Sequence, residues 1–306
     1  MSDNLSRRDF LKKSAIATGT VLTVASGINI MSAEKAEAAP AQSVLAIGSK
    51  GSIAQRLEKA LSLLGGIGKF VKKGNSVVIK PNFAWERTPE QAANTNPELI
   101  TALINMCRNA GASRVTVAEY PCDKDVAKVF QLCGANKAVR DAKGRLVCAD
   151  KATNYREINI PKGSVLKKED CIKEILDADV FINVPIAKVH GAAEVTASMK
   201  NLMGATFNRR GWHGKDLHQC IADYSTAVKP NLIILDAIRV LLTNGPKGPG
   251  QTKDIGEVIA GTDPVAIDSY AVKLLDKDLK DVKYIGIAEK LGLGTSDLSK
   301  VKILKD

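Results

Sequence analysis

From Ser43 onward, short apolar runs of strand length alternate with amphipathic stretches of helical period. Residues 43–49 (SVLAIGS), 75–80 (NSVVIK) and 114–118 (RVTVA) read as the first three strands, the second stopped by Pro81. Between the first two, residues 53–70 carry apolar side chains at helical spacing and end among glycines. The sequence Thr95-Asn96-Pro97-Glu98 then predicts a helix, with Thr95 or Asn96 at the N-cap and Pro97 in the first turn. Its inner face would hold Leu99, Leu103, Ile104 and Met106, and residues 110–112 (AGA) would end it. This β-α-β-α-β rhythm predicts an α/β fold: a mostly parallel sheet with helices on both faces.

Residues 121–170 break the rhythm and read as a small irregular insertion or cap, with a short helix at 125–133 and edge strands after it. The alternation returns at 179–183 (DVFIN), closed by Pro185. A helix over 193–203, a second over 217–228, a strand at 231–236 (NLIILD) and a Pro/Gly loop at 245–250 (GPKGPG) follow. Residues 257–260 (EVIA) make a further strand. Thr262-Asp263-Pro264 caps a helix over 265–275.

The first 38 residues stand apart from this pattern. Arg7-Arg8, an apolar run from Ala15 to Ile30 and the triplet Ala36-Glu37-Ala38 have the pattern of a twin-arginine signal peptide, with cleavage expected after Ala38. The run is diluted by Thr, Gly, Ser and Asn, and it is shorter than the roughly 18–20 residues a membrane helix needs, so no stable span is expected. Residues 39–306 would then be one domain, exported through the Tat translocase to the periplasm or another extracytoplasmic space. That route carries folded proteins, which is compatible with a cofactor inserted beforehand.

The whole chain carries a net charge of +11, and residues 1–38, with five basic and four acidic side chains, remove only +1 of it. A basic balance suits an anionic ligand or an acidic partner. Aromatics make up only 4 % of the chain and no basic helix or stacking platform is visible, which excludes nucleic acid as the partner. None of the six cysteines forms C-x-x-C, so zinc-finger and ferredoxin spacings are absent. In an exported protein their even number suits disulfides, for which Cys122, Cys133, Cys148 and Cys171 are the better candidates. Cys107, in an apolar helical pattern, reads as a buried thiol.

The candidate chemistry gathers where strands end, because open α/β sheets bind ligands beyond the carboxyl ends of their strands. Those ends deliver Lys80-Pro81-Asn82, Glu119, Asn183 with Lys188 and His190, Asp236, and Thr262-Asp263. All three histidines (His190, His213 and His218) fall within residues 190–218, which also contain Lys200 and Arg209-Arg210. Lys80, Lys188 and Lys200 are candidates for an anion clamp, since an ammonium group offers a compact charge with three donors. Asn82 and Asn201 would orient the ligand, and Gly248 would let the backbone approach it. His190 with Lys188 would carry any acid–base step, imidazole titrating near neutrality. A divalent transition metal held by His190, His213, His218, Asp236 and Asp263 is the alternative use of the same stretch. Asp263 and Asp268 also have ordinary uses, as an N-cap and as a partner for a lysine.

In order, IKPN, TNPELI, NVPIAKVHG, SMKNLMG, the His213–His218 spacing, LIILDAI, GPKGPG and AGTDPVAIDSYA resemble the DUF362 family, a domain of unknown function, over residues 43–304. Other members of that family carry an added iron–sulfur domain, whose C-x-x-C-x-x-C run is missing here. The resemblance therefore argues against an iron–sulfur cluster within this chain. Three functions follow as expectations: an exported protein binding a small anionic ligand with or without a metal, a redox accessory or cofactor-maturation protein docking on an electron-transfer partner, and a non-catalytic binding protein of the cell envelope. The sequence leaves open whether it is an enzyme.

Overall fold

A computed structural model describes residues 42–306; the twin-arginine pattern and its cleavage site lie outside the described residues. The first half follows the predicted rhythm. β1 (Val44–Gly48) leads to α1 (Ile53–Leu63), which starts on a Ser52/Gln55 capping box. The helix stops seven residues short of the predicted Phe70, because Gly65 and Gly66 take positive φ values of 99° and 84° and only a short 3₁₀ turn follows. β2 (Ser76–Lys80), α2 (Pro97–Asn109) and β3 (Arg114–Glu119) come next, with Asn96 as the N-cap of α2.

The 121–170 stretch divides in two. Its first part builds α3 (Val126–Leu132), α4 (Ala135–Asp141) and β4 (Arg145–Cys148), and β4 pairs in parallel with β3 at the edge of the main sheet. Only the remainder, β5 (Tyr155–Asn159) with β6 (Lys168–Ile172), forms a separate antiparallel pair. After α5 (Lys173–Asp177), β7 (Val180–Asn183) returns to the main sheet.

The helix expected over 193–203 is instead a hairpin followed by a short helix. β8 (Ile186–His190) pairs with β9 (Glu194–Thr196), and α6 covers only Ser198–Asn201. Val195 and Thr196, stiff at χ1, suit the extended pairing, and Asp268 accepts from the N–H groups of Ser198 and Met199 to start the helix there. Then come α7 (Leu217–Ala227), β10 (Leu232–Leu241), β11 (Thr252–Gly261), α8 (Pro264–Leu274), α9 (Lys283–Lys290) and β12 (Lys302–Lys305).

The main sheet runs β12-β1-β11-β10-β7-β2-β3-β4, with β8 joining the far half of β10. Strands β10, β7, β2, β3 and β4 are mutually parallel; β11 runs against both β10 and β1. Alternate residues feed two cores. Val77, Ile79, Val115, Val117, Val180 and Ile182 pack with α1 to α4, while Val78, Ala118, Phe181 and Ile233 pack with α7, α8 and α9. The fold is thus α/β, a mixed and mostly parallel sheet between two helical layers. Among the described residues no helix is long and apolar enough to cross a membrane.

Candidate functional site

A cavity of about 410 Å³ opens beyond the carboxyl ends of β2, β3 and β7, where the helical layers leave the sheet edge uncovered. Strand ends place Lys80 and Glu119 in its floor. The β8–β9 hairpin supplies one wall, and its pleat explains which residues face in. Lys188 and His190 are two apart on β8, and Lys188 pairs across to Thr196. Side chains two apart share a face, so this trio turns toward the cavity while Val189 and Val195 pair on the other side. The short α6 brings Lys200 and Asn201, and the turn after it brings Arg209, Arg210 and His213.

The floor is a closed polar network. Lys80 Nζ lies 2.9 Å from Glu119 Oε2 and donates to Pro81 O at 2.9 Å, and both side chains are almost fully buried. Glu119 also accepts from the backbone N–H groups of Phe83 (3.2 Å) and Tyr120 (2.8 Å). Gly204 closes over this pair: a Cβ there would sit 2.7 Å from Lys80 Nζ and 2.9 Å from Glu119 Oε1. Asn82 donates to Asn201 Oδ1 (2.8 Å), and Asn201 in turn donates to Asn183 Oδ1 (2.8 Å). This chain of amides fixes the orientation of each one.

Above the floor, positive charge is in excess. Glu119 is the one acid among the described residues that line the cavity, against Lys80, Lys188, Lys200, Arg209 and Arg210. Lys188 donates to Asn82 Oδ1 at 2.9 Å and to the Ala93 carbonyl, and lies 6.0 Å from the Trp85 ring centre. Arg209 stacks its guanidinium 3.9 Å from the Tyr120 ring centre and donates to the carbonyls of Tyr120 and Pro121. Lys200 is only 9 % exposed, yet forms no hydrogen bond or ion pair with any described residue. Thr196 Oγ1 is likewise buried without a partner.

Burial pushes Lys188 down to about 7, with the charges of Lys200 and Lys80 adding to it and Cys122 and Glu119 opposing. Burial also lowers Lys200, to about 8, with Arg209 and Lys80 adding and Cys122 opposing. His190 falls to about 2, through burial first and then the charges of Lys200, Lys188 and His213, so it is neutral at physiological pH. Its Nδ1 accepts from the N–H groups of Ala192 (3.1 Å) and Ala193 (3.2 Å). A neutral imidazole that accepts at Nδ1 carries its proton on Nε2, leaving that atom a donor.

Of the residues singled out from the sequence, Lys80, Asn82, Lys188, His190, Lys200, Asn201 and His213 line this one cavity. Four others lie elsewhere. His218 accepts from the Tyr284 N–H at 3.3 Å and stacks on that ring at 5.9 Å. Asp236 accepts from the N–H groups of Asn96 (2.7 Å) and Ile238 (3.1 Å). Asp263 caps α8 and also accepts from Ser43 and Thr295. It follows a strand antiparallel to β10 and is not among the residues lining the cavity. Gly248 lies in the 245–250 loop at φ +65° and accepts from Arg87, while it is Pro246 of that loop that reaches the cavity. No group of three or more His, Cys, Asp or Glu side chains gathers in metal-binding geometry among the described residues.

All six cysteines are free thiols, so none of the disulfides that their even number allows is present; Cys107, Cys133, Cys171 and Cys220 are buried, and Cys122 faces the cavity. Asp223, which lies in the same histidine-rich stretch, caps the backbone of residues 164–166. The sequence reading gave no role to Glu119, Trp85, Arg209 or Gly204. For Glu119 and Gly204 the signal was present, as a carboxylate at a strand end and a glycine closing the SMKNLMG motif.

Fold and site together define a class: an α/β protein with a cationic cavity at the carboxyl edge of a mostly parallel sheet. The chain belongs to the family described as a domain of unknown function, DUF362, which matches over residues 77–273. A thylakoid-associated protein of Synechocystis sp. (strain ATCC 27184 / PCC 6803 / Kazusa) is 29% identical, over 79% of this chain and 76% of its own. Among solved structures, a protein from Thermotoga maritima aligns with a TM-score of 0.43 and 8% identity over 78% of this chain. The lactate racemase apoprotein of Thermoanaerobacterium thermosaccharolyticum aligns with a TM-score of 0.42 and 14% identity over 74% of it. The chain spans 59% and 56% of the lengths of these two proteins, respectively.

Proposed function

We propose that the protein binds a small organic anion in the cavity between the β8–β9 hairpin, α6 and the ends of β2 and β3. The observation that carries this reading is Lys200: its side chain is largely buried, its ammonium group has no acceptor among the described residues, and it lines a cavity whose one lining acid is already paired with Lys80. An ammonium on a largely buried side chain without a counter-ion is poorly compensated, and a carboxylate or phosphate entering the cavity supplies the missing partner. Lys188, Arg209 and Arg210 add attraction, and the Nε2–H of His190 offers a directional contact. His190 favours an anion over a metal. A metal-ligating histidine donates its other ring N–H to an acceptor, whereas His190 uses that position to accept two N–H groups. The twin-arginine pattern of residues 7–38 supports placing this binding outside the cytoplasm.

The test is thermal denaturation of the mature protein with inorganic phosphate, short mono- and dicarboxylates and matched chloride. Ligand at about 100 times its Kd stabilises by roughly 2.7 kcal/mol, which the reading expects for at least one organic anion and not for chloride. Equal effects of all salts would reject it.

A further inference from the structure

We propose that Lys200 is a covalent centre, forming an imine with an anionic ligand that carries an aldehyde or ketone. This rests on the anion-binding reading and adds the ligand's chemical class. Three buried amines reach the cavity, and the structure separates their duties. Lys80 is held by Glu119 and the Pro81 carbonyl beneath Gly204. Lys188 is held by Asn82 and the Ala93 carbonyl. Each of those nitrogens is committed to acceptors that favour its charged form. Lys200 alone has no acceptor, so releasing its proton breaks no contact and its nitrogen is free to attack.

Its surroundings favour the neutral amine as well. Burial, then the charges of Arg209 and Lys80, lower its pKa to about 8, so roughly a tenth is unprotonated at pH 7; Lys188 is lowered further, to about 7, but its nitrogen stays tied to Asn82 and the Ala93 carbonyl. A lysine desolvated beside other cations is a recognised way to activate the amine. The same cations hold the ligand's carboxylate or phosphate. His190 Nε2–H, on the cavity wall, is a donor for the carbonyl oxygen.

The step balances without an added reagent. The Lys200 nitrogen bonds to the carbonyl carbon, the carbon–oxygen bond breaks, and the oxygen leaves as water with two of the ammonium group's three protons. The third proton stays on nitrogen as the iminium, and nothing is oxidised or reduced.

The experiment incubates the full mature protein separately with glyoxylate and with 2-oxoglutarate, adds sodium borohydride and maps the reduced adducts by peptide mass spectrometry. The proposal expects one dominant adduct, on Lys200, absent from that peptide in Lys200→Arg, which keeps the charge but forms no imine. Thermal stabilisation by the two acids is measured on the same wild-type sample. Stabilisation with adducts scattered over surface lysines and none favoured at Lys200 overturns the imine and leaves anion binding standing. Neither stabilisation nor trapping overturns both.

Discussion

Replacing Glu119 by Gln removes the counter-charge of an ammonium that is 1 % exposed. The replacement keeps the shape, and its carbonyl oxygen still accepts one hydrogen bond from Lys80. Its NH₂ group, however, must face one of the backbone donors of Phe83 and Tyr120 that now point at the carboxylate. Breaking one partner of a buried pair costs roughly 3–5 kcal/mol, and about 2–4 °C of Tm accompanies each kcal/mol in a chain of this size. The expected loss is therefore about 6–20 °C by calorimetry at pH 7. Burial already holds Lys80 below the ordinary lysine value against the raising effect of Glu119, so without Glu119 it falls further. A lysine depressed in the fold binds a proton more weakly there than in the unfolded chain, so between its folded and unfolded pKa values stability rises with pH. The deficit of the variant should thus shrink from pH 7 to pH 10. The double variant Lys80→Met/Glu119→Gln removes the stranded charge and should recover part of the loss. A Glu119→Gln protein within about 1 kcal/mol of wild type, or a deficit independent of pH, would refute the view of this pair as a buried and mutually dependent floor.

Other outcomes follow from the same geometry. Gly204→Ala drives a methyl group against Lys80 and Glu119, which are pinned by the backbone and cannot swing aside; overpacking of this kind costs roughly 1–3 kcal/mol, readable by urea denaturation. Anion affinity should be greatest below pH 7 and fall as pH rises through about 7 and 8, the values to which burial lowers Lys188 and Lys200. That slope, at most about tenfold per pH unit per lysine released, is measurable by titration calorimetry between pH 6 and 9. Asp268→Ala deprives the Ser198 and Met199 N–H groups of their buried acceptor; a loss of about 0.5–2 kcal/mol is expected for the cap, together with weaker anion binding because α6 carries Lys200.

Much of this architecture is written locally in the chain. Asn96-Pro97 and Asp263-Pro264 begin helices where capping chemistry says they should, and the dense apolar runs make the central strands. The errors arise where a local pattern is outvoted by partners distant in sequence. Residues 193–203 have enough alanine and methionine to suit a helix, yet β8 and Asp268 make the first four of them turn and strand. The direction of β11 is invisible in its own residues, and with it the fact that Asp263 does not line the cavity. The acids proposed as metal ligands share a further reason: Asp236 and Asp263 are held by backbone N–H groups, a duty that a sequence does not distinguish from ligation. The lysines were easier to place. Lys-x-His at strand spacing and Lys-Asn on the following turn both put their charges on one side once the hairpin is known.

The most direct trial of the cationic cavity is a calorimetric titration of the most stabilising organic anion into wild-type protein and into Lys200→Met at pH 6.5. A hydrogen bond to a charged group contributes about 1.5–3 kcal/mol, so the account predicts at least a tenfold weaker Kd for the variant with its fold intact. Equal affinity in the two proteins would contradict it.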